Sequence, residues 1–373
     1  MRALALNCGS SSVKFALVDT ASGERLLAGV EEAAGGKHAA ALDAVVERLS
    51  GEREIAEGLD GIGHRVVHGG ETFRESVLID DRVVAAIEAV SPMAPLHNPV
   101  NHLGIRRFAA AFPGKPQVAV FDTAFHQTLP PRAYLYAVPR TWHAEHGVRR
   151  YGFHGTSHRY LAQEAIRRFD LPEESSRIVT AHLGNGCSTA AVLGGRSIET
   201  SMGFSPLEGL VMGTRSGDVD PGLHAYLAKH LGLGLAEVTN MLNRESGLLG
   251  LSGLSGDMRE LEAAEAQGNA EAALAVEIFC YRLARQVAGL QVPLGGLDAL
   301  VFGGGIGENS ARVRARVLEW LGPVGFELDP QANARHGSDE DGRIARGGPP
   351  FAGVVATDEE FLIALDTARV LGN

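Results

Sequence analysis

Two segments with the same layout, about half a chain apart, constrain the fold more than any other feature of this 373-residue chain. They read ALALNCGSSSVKFALVD at residues 3–19 and IVTAHLGNGCSTAAVL at residues 178–193. In each, two runs rich in β-forming residues flank a glycine loop, a pattern that predicts strand, loop and strand. One such unit in each half of the chain indicates a duplicated α/β unit, with one copy per domain.

Helices and strands are predicted to alternate around these hairpins, as in α/β folds. Strands are predicted at 4–6, 13–18, 62–67, 117–121, 177–181, 190–193, 299–302 and 351–356, and helices at 42–49, 103–112, 156–169, 311–321 and 359–371. The stretch 221–292 is predicted to be rich in helix, GGGIGENS at 303–310 to be a loop, and 330–350 to be irregular.

No low-complexity linker marks a domain boundary, so the repeat alone sets the predicted division. We expect an N-terminal α/β domain over 1–147 and a C-terminal α/β domain over 148–357. The last helix, 358–373, is expected to pack on the first domain.

Composition excludes several classes of function. Basic residues number 34 against 45 acidic ones, and the net charge of −11 argues against a broad nucleic-acid interface. The three cysteines form no CxxC pair, which favours reduced thiols over a disulfide framework. Neither a signal segment nor an apolar run of roughly 18 residues, the length of a membrane span, occurs. We therefore expect a cytoplasmic protein without nucleic-acid or membrane partners.

The opening loop fits none of the common catalytic glycine motifs. The opening loop lacks the Walker A spacing. The later loop GGGIGEN, at 303–309, places Glu308 where a dinucleotide fingerprint needs glycine. The SxxK match lacks its companion motifs, and no GxSxG occurs. What remains is an ordinary hairpin turn or a nest of backbone N–H groups and serine hydroxyls around a phosphate, with Lys14 behind it. The second copy of the loop favours a pair of phosphate clamps.

Several longer motifs accompany these loops. They are GHRVVHGG, PLHNP, FDTAFHQTLP, YGFHGTSH and SMGFSPLEGLVMGTRSGDVDPG, and with the three glycine loops the chain resembles the acetate kinases from its first strand to TDEEF. The resemblance implies the duplicated fold of actin and sugar kinases (ribonuclease H-like), with two domains and a nucleotide cleft between them. It also implies a homodimer that transfers a phosphoryl group reversibly between ATP and acetate, giving acetyl phosphate and ADP, with Mg²⁺ or in its place Mn²⁺.

The resemblance assigns the reacting groups as follows. Arg65 holds the acetate carboxylate, for which a guanidinium fork has the right shape. His154 and Arg215 stabilise the transition state by contacting the phosphoryl oxygens. Asp122 is the catalytic aspartate, which positions Arg65 and the acetate or accepts the phosphoryl group itself. We expect direct in-line transfer; from position alone, Asp122 could equally cap the next helix.

His154 and His158, like His64 and His68, have the HxxxH spacing of some zinc sites. HExxH is missing, and Gly155 indicates that His154 lies in a loop before a helix, so zinc is not expected. His158 is as well explained by helix capping.

For the metal, the resemblance implies Asn7 and Glu359, acting through bound water because Mg²⁺ keeps much of its hydration shell. Thr357 and Glu360 have the spacing of a capping box. If Glu360 serves the helix terminus, Glu359 is left to face the cleft. A solvated acid in a first helical turn is the alternative for Glu359.

The remaining implied contacts fall into two groups. Those for the nucleotide are Ser10, Ser12 and Lys14 in the first loop, His182, Leu183, Gly184, Asn185 and Gly186 in the second, and Asp257, Met258, Arg259, Gly305, Ile306, Gly307, Glu308 and Asn309 around the adenosine. Those for the acyl group are Val67, Leu96, Phe153 and Pro206, which are equally common core residue types. As a small apolar cup they predict a preference for acetate, with propionate tolerated and butyrate poorer.

Three features depart from the family pattern: Gly303 replaces a usual Thr, Asp358 replaces an amide, and the chain is trimmed between residues 23 and 59. The first concerns adenine-side packing, and the second adds a negative charge near the implied metal. Rival functions are a propionate or butyrate kinase, a kinase using pyrophosphate, a nucleotide-switched protein of the actin type, and a zinc hydrolase.

Overall fold

The computed structural model describes residues 1–9, 12–33, 36–51, 58–338 and 341–372, so the predicted phosphate ligand Ser10 lies outside the described residues. The chain forms two compact units. Unit 1 comprises Met1–Gln127, Phe153–Tyr160 and Asp358–Asn373; unit 2 comprises Thr128–Gly152 and Leu161–Thr357. The C-terminal helix thus belongs to the same unit as the opening hairpin.

The strands are β1 Arg2–Cys8, β2 Ser12–Asp19, β3 Glu24–Glu32, β4 Gly61–Val66, β5 Val77–Leu78, β6 Gln117–Phe121, β7 Arg177–Leu183, β8 Cys187–Leu193, β9 Arg196–Thr200, β10 Ala299–Gly303 and β11 Phe351–Val354. The α-helices are α1 His38–Gly51, α2 Asp81–Val90, α3 Asn98–Ala111, α4 Pro131–Tyr134, α5 Arg140–His146, α6 Gly155–Phe169, α7 Gly222–Leu231, α8 Leu235–Arg244, α9 Gly247–Ser252, α10 Met258–Ala266, α11 Ala270–Leu294, α12 Gly304–Asn309, α13 Ala311–Trp320, α14 Pro330–Ala334 and α15 Glu359–Val370. Short 3₁₀ helices lie at Ser91–Met93, Ala124–Thr128 and Gly322–Val324.

The sheets of the two units share a five-stranded topology, to which unit 1 adds the short antiparallel strand β5. In unit 1 the strand order is β3-β2-β1-β4-β6-β5. In unit 2, read from the corresponding edge, it is β9-β8-β7-β10-β11. Each sheet has three consecutive antiparallel strands followed by two strands parallel to the first of them: β1 with β4 and β6, and β7 with β10 and β11. The predicted duplication is therefore confirmed, and the fold is the duplicated actin-like α/β fold.

The unit 1 sheet is buried on both faces, which explains the nearly continuous apolar run of β1. Leu4 and Leu6 pack into one core with residues of α1 and α3. Ala3 and Ala5 face the opposite way and pack into another core with residues of α15. Small side chains on that face let α15 approach closely; a Cβ added at Gly63 would lie 2.2 Å from Thr367 Oγ1. This approach carries the start of α15 to the end of β1.

One predicted loop is wrong, because Gly304–Asn309 forms the short helix α12. Glycine disfavours helix, so contacts from elsewhere in unit 2, described below, must stabilise it. The segment 330–350, predicted to be irregular, begins with the short helix α14. Among the described residues, no helix combines the length and apolar character needed to cross a membrane.

Candidate functional site

Arg65 and Asp122 form a buried ion pair in unit 1. Arg65 lies near the end of β4, and Asp122 directly follows β6, the neighbouring parallel strand. Arg65 Nη2 donates to Asp122 Oδ2 at 2.6 Å, and Nε lies 3.0 and 3.1 Å from Oδ1 and Oδ2. The side chains are 14% and 1% exposed. Parallel strands ending at one sheet edge place both groups where α/β folds bind ligands.

The other end of the guanidinium meets the end of β1 and the start of α15. Arg65 Nη1 donates to Asn7 Oδ1 at 2.9 Å and lies 3.8 Å from Glu359 Oε2. Asn7 Nδ2 in turn donates to Glu359 Oε2 at 2.9 Å and to Glu360 Oε1 at 3.0 Å. Among the described contacts, three of the five guanidinium N–H groups are occupied, so two remain for a ligand.

Burial and charge act in opposite directions on this pair. Burial alone would lower the pKa of Arg65, but Asp122, Glu359 and Glu360 together raise it above its ordinary value. Burial raises the pKa of Asp122, and the nearby Glu359 adds to this, against the lowering effect of Arg65. Arg65 therefore stays cationic among these carboxylates, and its guanidinium keeps the planar fork that matches a carboxylate.

Asp122 also fixes His154. The backbone N–H of His154 donates to the Asp122 carboxylate, and the N–H of Gly155 donates to the Asp122 carbonyl at 3.1 Å. His154 has a φ of 57°, a left-handed conformation that a residue with a side chain adopts only when its surroundings impose it. Gly155 is required here, because an added Cβ would lie 2.0 Å from the Asp122 carbonyl oxygen. The structure thus brings Arg65, Asp122 and His154 together within unit 1.

The predicted capping box at the start of α15 is wrong. The N-cap is Asp358, whose carboxylate accepts from the N–H of Phe361 at 2.9 Å, and Asp358 also pairs with Arg25. Thr357 donates instead to Glu308 in unit 2. The helix begins one residue later than the box requires, so Glu360 is released to contact Asn7. The Asp358 carboxylate interacts with the start of α15 and with Arg25. Sequence reasoning did not predict that Glu360 would lie beside Asn7.

The first predicted phosphate loop connects β1 to β2, and its residues 10 and 11 lie outside the described part of the chain. On either side of them, the N–H of Gly9 donates to the Ser12 carbonyl at 2.9 Å. Ser12 is the first residue of β2, and Lys14 is exposed on β2 and pairs in register with Asn7. Lys14 is therefore placed opposite a residue of the cluster around Arg65.

The second predicted phosphate loop is the turn between β7 and β8 in unit 2, which contains Gly184, Asn185 and Gly186 after His182 and Leu183. The N–H of Gly184 donates to the Gly186 carbonyl at 3.0 Å. The Asn185 carbonyl accepts from the N–H of Gly213 at 3.2 Å. Through this bond the turn meets the segment that carries Arg215.

Arg215 is half-buried, and desolvation lowers its pKa. Its Nη1 donates to the Pro206 carbonyl at 2.7 Å, and its own carbonyl accepts from the N–H of Met212 at 3.1 Å. The start of α9 holds the same segment, because Leu248 and Leu249 donate to the carbonyls of Met212 and Gly213. Arg215 therefore has a defined position in unit 2 without a described carboxylate partner.

A clamp that sequence reasoning missed supports this segment; we call Tyr136, Arg150 and Glu208 the Tyr136 clamp. Tyr136 donates its hydroxyl to Glu208 and accepts from the N–H of Phe204 at 2.7 Å. Arg150 Nη2 donates to Glu208 Oε1 at 2.6 Å, while Nη1 contacts the carbonyls of residues 200–202 at 3.0 to 3.2 Å. Burial and the adjacent Glu208 raise the pKa of Tyr136, so the hydroxyl stays protonated as a donor.

The residues implied around the adenosine lie at two helix starts in unit 2. Asp257 is the N-cap of α10, accepting from the N–H of Arg259 at 2.9 Å, while Arg259 is exposed and Met258 buried. In α12, Gly305 and Asn309 are exposed, Ile306 and Glu308 half-buried, and Gly307 buried. Leu161 and Thr357 occupy the space a Cβ at Gly303 would need, at 2.6 and 3.0 Å. Neighbouring side chains of unit 2 therefore fill the space beside Gly303, which suits a glycine at this position.

The residues implied for the acyl pocket differ in environment. Val67 and Phe153 are buried, and Phe153 makes an edge contact with His68 at 5.6 Å between ring centroids. Leu96 is 46% exposed. These three lie in unit 1, and Pro206 lies in unit 2.

The two HxxxH pairs do not form zinc sites. His64 lies in β4, 2.5 Å from the Gln117 amide, and His154 lies before α6 rather than on it. Among the described residues, no group of three His, Cys, Asp or Glu side chains is placed to hold a metal ion. Cys8, Cys187 and Cys280 are free and buried.

Comparison with known proteins agrees with this geometry. The model of the Acetokinase family matches residues 28–365. A protein of Deinococcus deserti named acetate kinase is 56% identical over 100% of this chain and 98% of its own. Crystal structures of a propionate kinase from Francisella tularensis (TM-score 0.93, 43% identity) and of an acetate kinase from Porphyromonas gingivalis (TM-score 0.89, 40% identity) each cover 99% of both chains. The chain belongs to the acetokinase family of kinases.

Proposed function

We propose that this enzyme transfers a phosphoryl group reversibly from ATP to acetate, giving acetyl phosphate and ADP. The observation that carries the proposal is the Arg65 cluster: a half-buried cation, fixed by Asp122 and Asn7, has two guanidinium N–H groups that no described contact occupies and that could bind a ligand anion. Its occurrence in a chain 56% identical to a named acetate kinase supports a carboxylate as that anion. Phosphoryl transfer requires chiefly alignment and neutralisation of charge, which a fixed guanidinium supplies.

In this mechanism Arg65 orients the acetate carboxylate, and Asp122 holds Arg65 and His154 in place. His154 and Arg215 donate to the phosphoryl oxygens as charge redistributes on them. The backbone of His154 is held by Asp122, and the guanidinium of Arg215 is held by the Pro206 carbonyl. Because Arg65 and His154 already occupy the Asp122 carboxylate, Asp122 is a poor nucleophile, and the acetate oxygen attacks phosphorus directly.

Net inversion at a chiral γ-phosphate is expected for direct transfer. Net retention would contradict it, because a phosphorylated Asp122 would require two successive inversions.

The donor set near Asn7 fits magnesium. Glu359 and Glu360 both contact the Asn7 amide, so two carboxylates lie side by side at the end of β1. Mg²⁺ is bound in such sites by one or two carboxylates, water and substrate phosphates, so a cluster of three protein ligands is not required. When bound, the ion neutralises charge on the ATP phosphates. Mn²⁺ has the same preference for oxygen ligands and is proposed as a substitute.

We assign the nucleotide to the two predicted phosphate loops, one in each of the predicted domains 1–147 and 148–357. Ser10, Ser12 and Lys14 serve one end of the polyphosphate, and the turn at His182 to Gly186 serves the other. The supporting observation is that the two turns occupy equivalent places in two sheets of one topology. The exposed faces of α10 and α12 are proposed for the adenosine.

The acyl preference is proposed to be graded. Val67, Leu96, Phe153 and Pro206 form a small apolar cup that favours acetate, tolerates propionate and accepts butyrate poorly. One methylene is worth about 1 to 3 kcal/mol in such a pocket. The similarity to a propionate kinase at 43% identity favours propionate as the second substrate.

We also propose a cytoplasmic homodimer. Tyr226 and Leu231 in α7 and Leu235 in α8 each expose an apolar side chain on unit 2, and such side chains are candidates for cover by a second copy. The free cysteines agree with a reducing compartment. A sedimentation mass of one chain would contradict the dimer.

A hydroxamate assay with acetate and ATP tests the function. Wild type should form acetyl phosphate, and Arg65→Ala and Arg215→Ala should lose about 100-fold or more of the rate. Arg244→Ala, an exposed arginine at the end of α8, is the control and should retain activity. Equal activity in wild type and Arg215→Ala would remove the role assigned to Arg215.

A further inference from the structure

Arg314, in α13, is a fully buried cation. Among the described residues, its guanidinium hydrogen bonds go to uncharged groups. Nε donates to Asn333 Oδ1 at 2.8 Å, and Nη2 donates to the Asn333 carbonyl at 2.9 Å and to His336 Nδ1 at 3.0 Å. Burial lowers the pKa of Arg314 to about 10, while the charge of Glu262 acts in the opposite direction. Burying a cation without a bonded carboxylate costs free energy. We therefore expect the remaining hydrogen bonds of Arg314 to serve a purpose that offsets this cost.

Those remaining contacts are with the end of α12. Arg314 Nη1 donates to the carbonyls of Gly307 and Glu308 at 2.8 and 2.9 Å. Carbonyls in the last turn of a helix lack partners within the helix, and a positive charge there complements the helix dipole. A six-residue helix with three glycines would not hold its shape alone. Arg314 therefore supplies stability that the sequence of α12 lacks.

The beginning of α12 is held by a second contact. Glu308 Oε1 accepts from the N–H of Gly304 at 2.9 Å and from the N–H and hydroxyl of Thr357 at 2.8 Å each. The carboxylate that would otherwise face a ligand is thus used to fix the helix start. With Arg314 at one end and Glu308 at the other, α12 is clasped at both termini.

The clasp leaves one side of α12 open. Gly305 and Asn309, four residues apart and therefore on one face, are exposed, while Gly304 and Gly307 are buried. Asn309 Nδ2 donates to the Gly305 carbonyl at 2.9 Å, which orders that open face. Arg314 lies behind it, sealed from solvent, and cannot touch a ligand itself.

We propose that Arg314 is a positioning residue for the nucleoside end of ATP: by holding the end of α12, it sets the surface on which adenosine lies. The inference rests on the proposed function, which assigns adenosine to that face. Asn333 is part of the device, because its buried amide donates to the Ala311 carbonyl at 2.8 Å and fixes the acceptors that orient Arg314. Loss of the Arg314 hydrogen bonds to α12 and Asn333 should weaken nucleotide binding while the acetate end of the site stays intact.

Arg314→Lys and Arg314→Met test this, since neither side chain can reach the α12 carbonyls and Asn333 together. We expect the KM for ATP and the Kd for ADP, measured by calorimetry without acetate, to rise about tenfold, which corresponds to 1.4 kcal/mol. The KM for acetate and kcat should change less than about threefold. Arg312→Met is the matched control: Arg312 lies on the same helix and pairs with Glu265 at the surface, so both nucleotide constants should stay at wild-type values.

A merely structural role predicts a lower melting temperature with unchanged KM for ATP and unchanged Kd for ADP, and that result would overturn the proposal. If Arg314→Met does not fold, Arg314→Lys and Asn333→Ala decide; unchanged nucleotide constants in both also overturn it. A wild type that binds ADP but forms no acetyl phosphate would sink the proposed reaction instead, and the ADP constants would still test Arg314.

Discussion

Asn7 and Glu359, 352 positions apart in the chain, are joined by a 2.9 Å hydrogen bond from the Asn7 amide, and the same amide donates to Glu360 at 3.0 Å. Two carboxylates therefore share one donor at the end of β1. If the metal binds beside Asn7, as proposed, both acids, and not Glu359 alone, lie beside it.

We expect Glu360→Gln, like Glu359→Gln, to raise the Mg²⁺ concentration required for half-maximal activity by about tenfold, because the site loses one of two negative charges. A titration of activity with MgCl₂ measures this. Glu327→Gln, an exposed acid in unit 2, should leave the curve in place. A Glu360→Gln curve that overlays wild type would restrict the role to Glu359.

Gly155→Ala should destabilise unit 1 by about 1 to 3 kcal/mol or more, because the new Cβ would lie 2.0 Å from the Asp122 carbonyl oxygen. The shift displaces His154 from Asp122, so kcat should fall as well. Urea unfolding and the hydroxamate assay measure the two effects. Gly289→Ala in α11 is the control: its new Cβ would meet nothing within 4 Å, so stability should rise slightly. A Gly155→Ala protein with wild-type stability and rate would refute the close contact.

Stability should fall as the pH drops from about 7 to 5. Burial lowers the pKa of His64 and of His68 to about 4, whereas in the unfolded chain both titrate near 6.5. Between those values the unfolded state binds more protons, so each histidine removes up to about 2 kcal/mol of stability by pH 5. The loss levels off below pH 4.

Urea unfolding at pH 7, 6 and 5 measures this dependence. His146→Gln, which removes an exposed histidine in α5, should show the same loss as wild type. A free energy of unfolding that is flat across this range would show that the two imidazoles titrate alike in both states.

Tyr136→Phe should lower kcat, although Tyr136 contacts neither proposed substrate. The change leaves the N–H of Phe204 and the Glu208 carboxylate each without one partner in the Tyr136 clamp, at a cost of about 1 to 3 kcal/mol. The segment carrying Pro206 and Arg215 is then less well fixed. Steady-state kinetics and thermal unfolding measure the effect, with Tyr281→Phe in α11 as the control; a Tyr136→Phe enzyme with wild-type kcat would separate the clamp from Arg215.

The local sequence predicted much of the fold. Both hairpins are confirmed, because β-formers on either side of a glycine loop are a signal that lies within one short segment of sequence. β3 was missed: its exposure alternates along most of the strand, but its residues, ERLLAGVEE, do not alternate between apolar and polar types. α12 was predicted as a loop, since its stability comes from Arg314 and Glu308 and not from its glycines. Whether the predicted boundary at 147 separates two functional domains stays a prediction.

The site was less accessible to sequence reasoning wherever distant contacts decide. At the start of α15, both Thr357 and Asp358 could serve as the N-cap. Asp358 does so, and Glu360 is then free to contact Asn7. The Tyr136 clamp joins residues 58 and 72 positions apart, for which no local pattern exists. The roles proposed for His154, Arg215 and the nucleotide loops stay predictions until the variants are measured.

The position of α15 has a consequence for how the protein is made. β1 and β4 leave the ribosome early, whereas α15, the helix that covers one face of their sheet, is translated much later. Until α15 has been synthesised, Ala3 and Ala5 lack that cover, and Arg65 lacks Glu359. The charged cluster therefore assembles late in folding, after most of both sheets has been translated.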